Sequence, residues 1–171
     1  TDQIRAMQVI GPSKEILYLT QFKSKLKEFD SPEARCDVDQ TFIVILAGQS
    51  MDQMQTFYCD AFNLEKAPVM DSRIRAISRA FGKPENTQYK SSAIPIKDQS
   101  LIEIDELPKG SERRLGEPGY LLPGISIVSF LYYQSEINNS DTYRCNLPNQ
   151  KNKKCSVLHG QNQEIIELIH Q

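Results

Sequence analysis

The feature that most restricts the fold is a repeat found near the two ends of the chain. The segment Val9–Leu19 reads Val-Ile-Gly-Pro-Ser-Lys-Glu-Ile-Leu-Tyr-Leu, and Leu158–Leu168 reads Leu-His-Gly-Gln-Asn-Gln-Glu-Ile-Ile-Glu-Leu. With Gly11 aligned to Gly160, each copy has an apolar strand, a turn led by glycine and a second apolar strand, which predicts a β-hairpin. Because the copies lie about one domain length apart, we expect a duplicated unit of which the first copy is only the tail.

A strand followed by a capped helix is the clearest local pattern between the two copies. Thr41–Ala47 is a short β-branched apolar run, as in a buried strand. Ser50 and Gln53 then form a capping box, in which the two side chains satisfy the free N–H groups of the first helical turn. Apolar residues follow at helical spacing and predict a helix of about three turns. These residues are Met51, Met54, Phe57, Tyr58, Ala61 and Phe62.

The rest of the chain reads mainly as strands. Ala93–Ile96, Leu101–Leu107 and Ile125–Tyr133 are predicted strands, and Leu64–Met70 and Arg73–Ile77 are weaker strand candidates. The order is one strand, a helix and three strands, followed by a strand, a polar stretch with at most a short helix, and further strands. This order predicts an α+β protein with two βαβββ modules in tandem.

Composition excludes several classes of protein. The chain has 171 residues with 20 basic and 22 acidic side chains, and this near-neutral charge argues against a nucleic-acid-binding protein. No apolar run approaches the roughly 20 residues that span a bilayer, so no membrane association is expected. The four cysteines lie far apart, which favours reduced thiols and a cytoplasmic protein. They are Cys36, Cys59, Cys145 and Cys155.

Three motifs in this order resemble the vicinal oxygen chelate superfamily of glyoxalases, extradiol dioxygenases and bleomycin or fosfomycin resistance proteins. The first is residues 40–64, with Phe57-Tyr58 in the helix and Phe62-Asn63-Leu64 at its end. The second is Leu101–Asp105 followed by Pro123–Phe130, and the third is the closing hairpin Gly160–Leu168. The resemblance implies tandem βαβββ modules forming a cup-shaped mixed sheet. It implies a paired domain over residues 38–171, a linker over 23–37, and over 1–22 the C-terminal hairpin of a preceding module.

Two glutamates on predicted strands are the candidate catalytic residues. Side chains of a strand alternate between its two faces, so Glu103 shares a face with Leu101 and Asp105. By the same alternation Glu167 shares a face with Ile165 and Ile169. A carboxylate among apolar residues is costly unless it meets a cation or hydrogen-bond donors. The resemblance places Glu103 and Glu167 on the two carboxylate ligands of a divalent metal. The repeat places Tyr18 at the position of Glu167, so this hairpin forms without an acid there.

The resemblance is incomplete at the other two ligand positions. Gln40, or Thr41 with a shift of one residue, is the counterpart of a His or Gln, and Gly124 stands where a His is usual. A set of Gln40, Glu103 and Glu167 is oxygen-rich and suits Mn²⁺ or Mg²⁺ better than zinc, with Fe and Ni as further candidates. A cup without metal, whose acids are hydrogen-bonded to Tyr, Arg or water, is the other interpretation.

The resemblance implies a lyase or isomerase of the glyoxalase type, acting on a small oxygenated molecule, in which Glu103 or Glu167 moves a proton α to a carbonyl. The alternative is a non-catalytic protein that sequesters a small molecule, as bleomycin resistance proteins do. A third interpretation makes this domain a degenerate partner of an active module upstream. Because an unpaired hairpin at residues 5–20 exposes apolar strands, we also expect a homodimer.

Overall fold

The computed structural model describes residues 2–12, 15–27, 29–96, 100–133, 137, 141–144 and 151–171. The chain divides into two compact units, Thr1–Ser111 and Glu112–Gln171. The described ranges contain no helix long and apolar enough to cross a bilayer.

The first unit contains all the helices of the described residues. Its elements are β1 (Ile4–Ile10), β2 (Ile16–Phe22), β3 (Ile43–Gly48), α1 (Met51–Phe62), β4 (Met70–Arg73), α2 (Arg75–Ala80), β5 (Gln88–Ile96) and β6 (Ser100–Glu106). The second unit contains strands only, among the residues that are described. They are β7 (Ile127–Tyr132), β8 (Asp141–Arg144), β9 (Lys154–His159) and β10 (Ile165–His170).

The two units have four-stranded sheets of the same topology. The strand orders are β3-β6-β5-β4 and β7-β10-β9-β8, and in each sheet the first strand of the module is parallel to the last while the other neighbours are antiparallel. The registers also match, because Ile45 pairs with Glu103 in one sheet and Ser129 pairs with Glu167 in the other. The α+β fold with two modules of one topology is therefore confirmed, and the two glutamates occupy equivalent positions.

Both predicted hairpins form, and they close in the same way. The Gly11 N–H donates to the Glu15 carbonyl oxygen at 2.8 Å, and the Gly160 N–H donates to the Glu164 carbonyl oxygen at 2.8 Å. In each turn the glutamate carboxyl group folds back over the glycine and lies where a Cβ atom would be. The two turns of the repeat therefore share both their closing hydrogen bond and this contact between glutamate and glycine.

The predicted helix is confirmed, together with the Ser50 half of its predicted capping box. The Gln53 N–H donates to Ser50 Oγ at 3.4 Å, and Asn63 ends the helix in the left-handed conformation with a φ of 52°. The helix packs on β5 and β6 with its predicted apolar face. The residues buried there include Met51, Met54, Tyr58 and Phe62.

A second contact at the start of α1 comes from the end of β6. The Met51 N–H donates to Glu106 Oε2 at 2.9 Å, which places a carboxylate at the positive end of the helix. We expect Glu106→Ala to lower the free energy of unfolding by about 1–2 kcal/mol, since a charge-assisted hydrogen bond is lost. Urea unfolding measures this loss. The exposed Glu112 provides the control, and equal stability of the two alanine variants would contradict the role of Glu106.

One predicted strand is wrong. Arg73–Ile77 was expected to be extended, but the strand β4 ends at Arg73 and the helix α2 begins at Arg75. Ile74 and Ile77 pack together against Tyr89 of β5, with Leu107 beside them. Two apolar residues three positions apart meet on one side of a helix and would point to opposite faces of a strand. Of the candidate Leu64–Met70, the structure has only Met70 in a strand.

The predicted linker has neither helix nor strand among its described residues, but its Phe29 ring is packed. The Phe29 ring centroid lies 6.4 Å from that of Phe22 and 6.2 Å from that of Phe42. The domain boundaries proposed at residues 22, 23, 37 and 38 remain predictions. Residues 97–99, between two of the predicted strands, and most of the polar stretch after Tyr133 lie outside the described residues.

Candidate functional site

The site of the first unit lies on one face of the inner strand β6. Ile102 and Ile104 are buried on the face that packs against α1, as is consistent with the contact from Glu106 to the helix. The alternation of the strand places Glu103 and Asp105 on the opposite face. Glu103 is half-buried and Asp105 is 1% exposed. The carboxyl groups of Glu103 and Asp105 therefore lie close together on the face of β6 opposite α1.

Burial changes the acidity of both carboxyl groups. The pKa of Glu103 is raised to about 7, first by burial and second by the negative charge of Asp105. The pKa of Asp105 is raised to about 6 by burial, against a hydrogen bond from Ser91 that lowers it. Near neutral pH, Glu103 is therefore available both as an acid and as a base.

The hydrogen bonding of the Asp105 carboxyl group is incomplete. Ser91 is its partner across the β5–β6 ladder and is hydrogen-bonded to its side chain. Asp105 Oδ1 is buried and has no hydrogen-bond partner among the described residues. A buried oxygen of this kind is unfavourable for the fold by itself and is well suited to accept a hydrogen bond from a bound molecule.

Tyr18 of the N-terminal hairpin belongs to the same site. The pKa of Tyr18 is raised first by burial and then by the negative charges of Asp105 and Glu103. The phenol therefore lies close enough to both carboxyl groups to interact with them electrostatically. Its side-chain hydrogen bond is to Gln8, its partner across the hairpin, and lowers the pKa. The first unit therefore combines two acids and a phenol from elements far apart in sequence.

Glu167 of the second unit has a different environment. The hydroxyl groups of Ser129 and Tyr143 donate hydrogen bonds to its Oε2 and Oε1 atoms, respectively. Glu167 is half-buried on β10, directly opposite Ser129 on β7. Both of its carboxylate oxygens thus have donors from its own sheet. Ser129 and Tyr143 were not foreseen, because Ser129 reaches Glu167 from the neighbouring strand and Tyr143 from two strands away, and both contacts depend on strand order and register.

The remaining predicted ligand positions lie before the strands. Gln40 is exposed three residues before β3, and its alternative Thr41 is also exposed. Gly124 lies three residues before β7 with a φ of 87°, a conformation that favours glycine. His170 is on the face of β10 opposite Glu167, where its Nε2 atom is 2.8 Å from Ser156 Oγ. His170 therefore points away from Glu167, and Gly124 has no side chain that could be a ligand.

The described residues contain no group of three or more His, Cys, Asp or Glu side chains that is arranged to hold a metal ion. The predicted set includes Gln40, and both carboxylate oxygens of Glu167 already accept hydrogen bonds from hydroxyl groups. Ligation of a divalent metal by Gln40, Glu103 and Glu167 therefore remains a prediction.

No protein-family model matches the chain, and the search of curated proteins finds no match. The solved structures that resemble it include a glyoxalase family protein from Enterococcus faecalis, with 11% identity over 76% of this chain and 96% of that one and a TM-score of 0.48. The fosfomycin resistance protein FosX from Listeria monocytogenes, in complex with Mn(II) and sulfate, has 13% identity over 77% and 91% of the two chains and a TM-score of 0.46.

A glyoxalase/bleomycin resistance protein from Catenulispora acidiphila has 8% identity over 77% of this chain and 97% of that one, with a TM-score of 0.43. Likenesses this distant concern the arrangement of strands and helices and carry no information on activity. These three solved structures are glyoxalase-type and fosfomycin resistance proteins, of the vicinal oxygen chelate superfamily that the motifs of the chain resemble.

Proposed function

We propose that the chain binds a small oxygenated molecule at the Glu103 face and moves a proton of that molecule, as a lyase or isomerase of the glyoxalase type does. The observation that carries this proposal is the placement of Glu103 beside Asp105, whose Oδ1 atom is buried without a partner. Such an arrangement offers a base and a vacant hydrogen-bond acceptor at one place.

The proposed step uses only side chains of the protein. The ionised carboxylate of Glu103 removes a proton from a carbon next to a carbonyl group. The electron pair of the broken C–H bond forms a carbon–carbon double bond, and the carbonyl oxygen takes the negative charge. Protonated Glu103 then returns a proton to a carbon atom. The raised pKa of Glu103, about 7, supports this role because a base works best when its pKa is near the working pH.

Deuterium exchange tests the proposal. We expect the wild type to catalyse the incorporation of deuterium from D₂O into hydroxyacetone, followed by NMR, at a rate that rises with pH through about 7 as Glu103 ionises. Glu103→Gln removes the base and should slow the exchange at least about 100-fold, the usual range for a lost general base.

Glu167→Gln is the matched control, since it changes the equivalent residue of the other sheet, which is already held by two hydroxyl groups. It should exchange at nearly the rate of the wild type. Loss of exchange in Glu167→Gln alone would assign the base to Glu167 and contradict the role of Glu103. Adding Mn(II) to each sample tests the predicted metal ligation in the same assay.

A second candidate function is binding without turnover. Glu167 favours it, because a glutamate that is satisfied by Ser129 and Tyr143 has no need of a substrate or a metal. In that case the wild type would be stabilised thermally by a ligand while no exchange occurred.

The cytoplasmic location also remains a prediction.

We also propose a homodimer, on the outer face of the N-terminal hairpin. Val9 and Leu17 are 37% and 45% exposed, whereas their equivalents in the repeat, Leu158 and Ile166, are 9% and 1% exposed. Residues that form core in one copy are therefore open to solvent in the other, and a second copy of the chain is their proposed partner.

Leu17→Lys should convert the dimer to a monomer, because it introduces a charge at the centre of this apolar face. Size-exclusion chromatography with light scattering measures the mass. Leu115→Lys changes a leucine that is 86% exposed in the second unit and should leave the dimer intact. A wild-type protein that is monomeric at all concentrations would contradict the proposal.

A further inference from the structure

We propose that Tyr18 is a specificity-determining residue of the Glu103 site, and that with Asp105 it selects an uncharged ligand carrying both a hydrogen-bond acceptor and a donor. This inference rests on the proposed function of the Glu103 face and adds to it the class of ligand. It gives the N-terminal hairpin, which the sequence predicts to be a remnant of another module, a part in the site.

The hairpin is tied to the strand that carries Glu103. The Phe22 ring, at the end of β2, lies 5.3 Å from the ring of Phe42, measured between centroids. The Phe42 carbonyl oxygen accepts a hydrogen bond of 2.8 Å from the N–H of Leu101, two residues before Glu103. Tyr18 and Phe22 are four residues apart on β2, so they lie on the same face of this strand. The packing that holds Phe22 therefore also holds Tyr18 towards β6.

Tyr18 supplies the hydrogen-bond donor. Its hydrogen bond with Gln8 fixes the position of the phenol, and its interaction with Glu103 and Asp105 is electrostatic. A Gln amide that donates to the phenol oxygen leaves the O–H group to point elsewhere. In the proposed site this O–H faces the space beside the two carboxyl groups, where it donates to an acceptor of the ligand.

Asp105 supplies the acceptor. Its Oδ1 atom is buried without a partner among the described residues, on a side chain that is 1% exposed. A ligand hydroxyl that donates to Oδ1 removes the unfavourable effect of this buried atom. At the same time, a carbonyl group of the same ligand accepts a hydrogen bond from the Tyr18 hydroxyl.

The charges of the site set the remaining condition. Glu103 and Asp105 are both acids and share one face of β6, with Asp105 buried, so an anionic ligand meets repulsion there. An ammonium ion has donors and no acceptor, and it leaves the Tyr18 hydroxyl without a partner. An uncharged molecule with neighbouring carbonyl and hydroxyl groups meets both requirements.

The test compares hydroxyacetone, which is uncharged, with lactate, an anion of similar size, in NMR titrations. We expect the wild type to bind hydroxyacetone at least about 10-fold more tightly than lactate. Tyr18→Phe should weaken hydroxyacetone binding about 5- to 10-fold, the effect of one neutral hydrogen bond. Tyr58→Phe is the matched control, because Tyr58 is a buried tyrosine of the same unit on α1, the helix that packs on the face of β6 opposite Glu103. It should bind hydroxyacetone within about two-fold of the wild type.

Three results would overturn the inference: equal affinity of Tyr18→Phe and wild type, equal affinity for lactate and hydroxyacetone, or no binding of hydroxyacetone by the wild type. If Tyr18→Phe changed the free energy of unfolding but not the affinity for hydroxyacetone, Tyr18 and Asp105 would hold a water molecule in place of a ligand. That result would also overturn the inference. Deuterium exchange separates this inference from the proposed function. If Glu103→Gln abolishes exchange while Tyr18→Phe binds normally, only the role of Tyr18 is wrong. If Glu103→Gln exchanges normally while Tyr18→Phe binds weakly, only the role of Glu103 is wrong.

Discussion

Replacing Glu103 by glutamine is expected to stabilise the protein at pH 8 by about 3 kcal/mol and to leave its stability at pH 4 nearly unchanged. The pKa of Glu103 is about 7 in the fold against 4.5 for an ordinary glutamate, so its charged form is disfavoured by folding. Each unit of pKa corresponds to about 1.4 kcal/mol. Glutamine has a similar shape and no charge to bury.

The direction of the pH dependence follows from proton binding. Between pH 4.5 and 7 the folded protein keeps the Glu103 proton more tightly than the unfolded chain does, so the stability of the wild type falls as the pH rises through this window. Below pH 4.5 both states hold the proton, and the penalty is absent. Glu103→Gln lacks this titration, and its stability should depend less steeply on pH.

Urea unfolding at pH 4 and pH 8 measures the effect. Glu65→Gln is the control, since Glu65 is an exposed glutamate of the same unit and its replacement should change stability by less than about 0.5 kcal/mol at both pH values. If Glu103→Gln were destabilising at pH 8, the carboxylate would have to be ionised and well paired in the fold. That result would favour the predicted metal ligation.

Ile104→Ala is expected to lower the free energy of unfolding by about 3–4 kcal/mol. Ile104 is 0% exposed, between Leu46 of β3 and Ser92 of β5 on the face of β6 that packs against α1. Truncation of a fully buried isoleucine loses the transfer free energy of three carbon atoms and leaves a cavity between sheet and helix.

The effect is measured by urea unfolding at one pH, with Val38→Ala as the control. Val38 belongs to the same unit and is 71% exposed, so its truncation should change the stability by no more than about 0.5 kcal/mol. A small loss for Ile104→Ala would mean that the sheet and α1 close over the cavity without cost. It would also weaken the assignment of Glu103 to the opposite face.

Such a stabilising change at Glu103 would be consistent with a functional site. Natural cores rarely keep a half-buried acid beside a second buried acid unless the arrangement serves a purpose, because hydrophobic or amide replacements are more stable. Glu167 is the contrast within the same chain, since each of its carboxylate oxygens has a hydroxyl donor, from Ser129 and Tyr143. The two equivalent glutamates of the modules therefore have different roles in this proposal.

The sequence by itself determined the local elements of this protein. The hairpins at Gly11 and Gly160, the strand before Ser50 and the capped helix were all predictable, because turns, caps and apolar periods act over a few residues. The face shared by Glu103 and Asp105 was also predictable from the strand period. Arg73–Ile77 was mistaken for a strand because a short segment with two isoleucines carries little information on its period, and packing against Tyr89 decides it.

Only the tertiary structure decided which groups surround the two glutamates. The burial that raises the pKa of Glu103, the approach of Tyr18 and the unpartnered Oδ1 atom of Asp105 depend on residues brought together across more than 80 positions of sequence. The hydroxyl donors of Glu167 depend in the same way on the pairing of β7, β8 and β10. Hydrogen bonds, burial and charge effects act through space, and strand register and packing set those distances, which spacing in the sequence does not record.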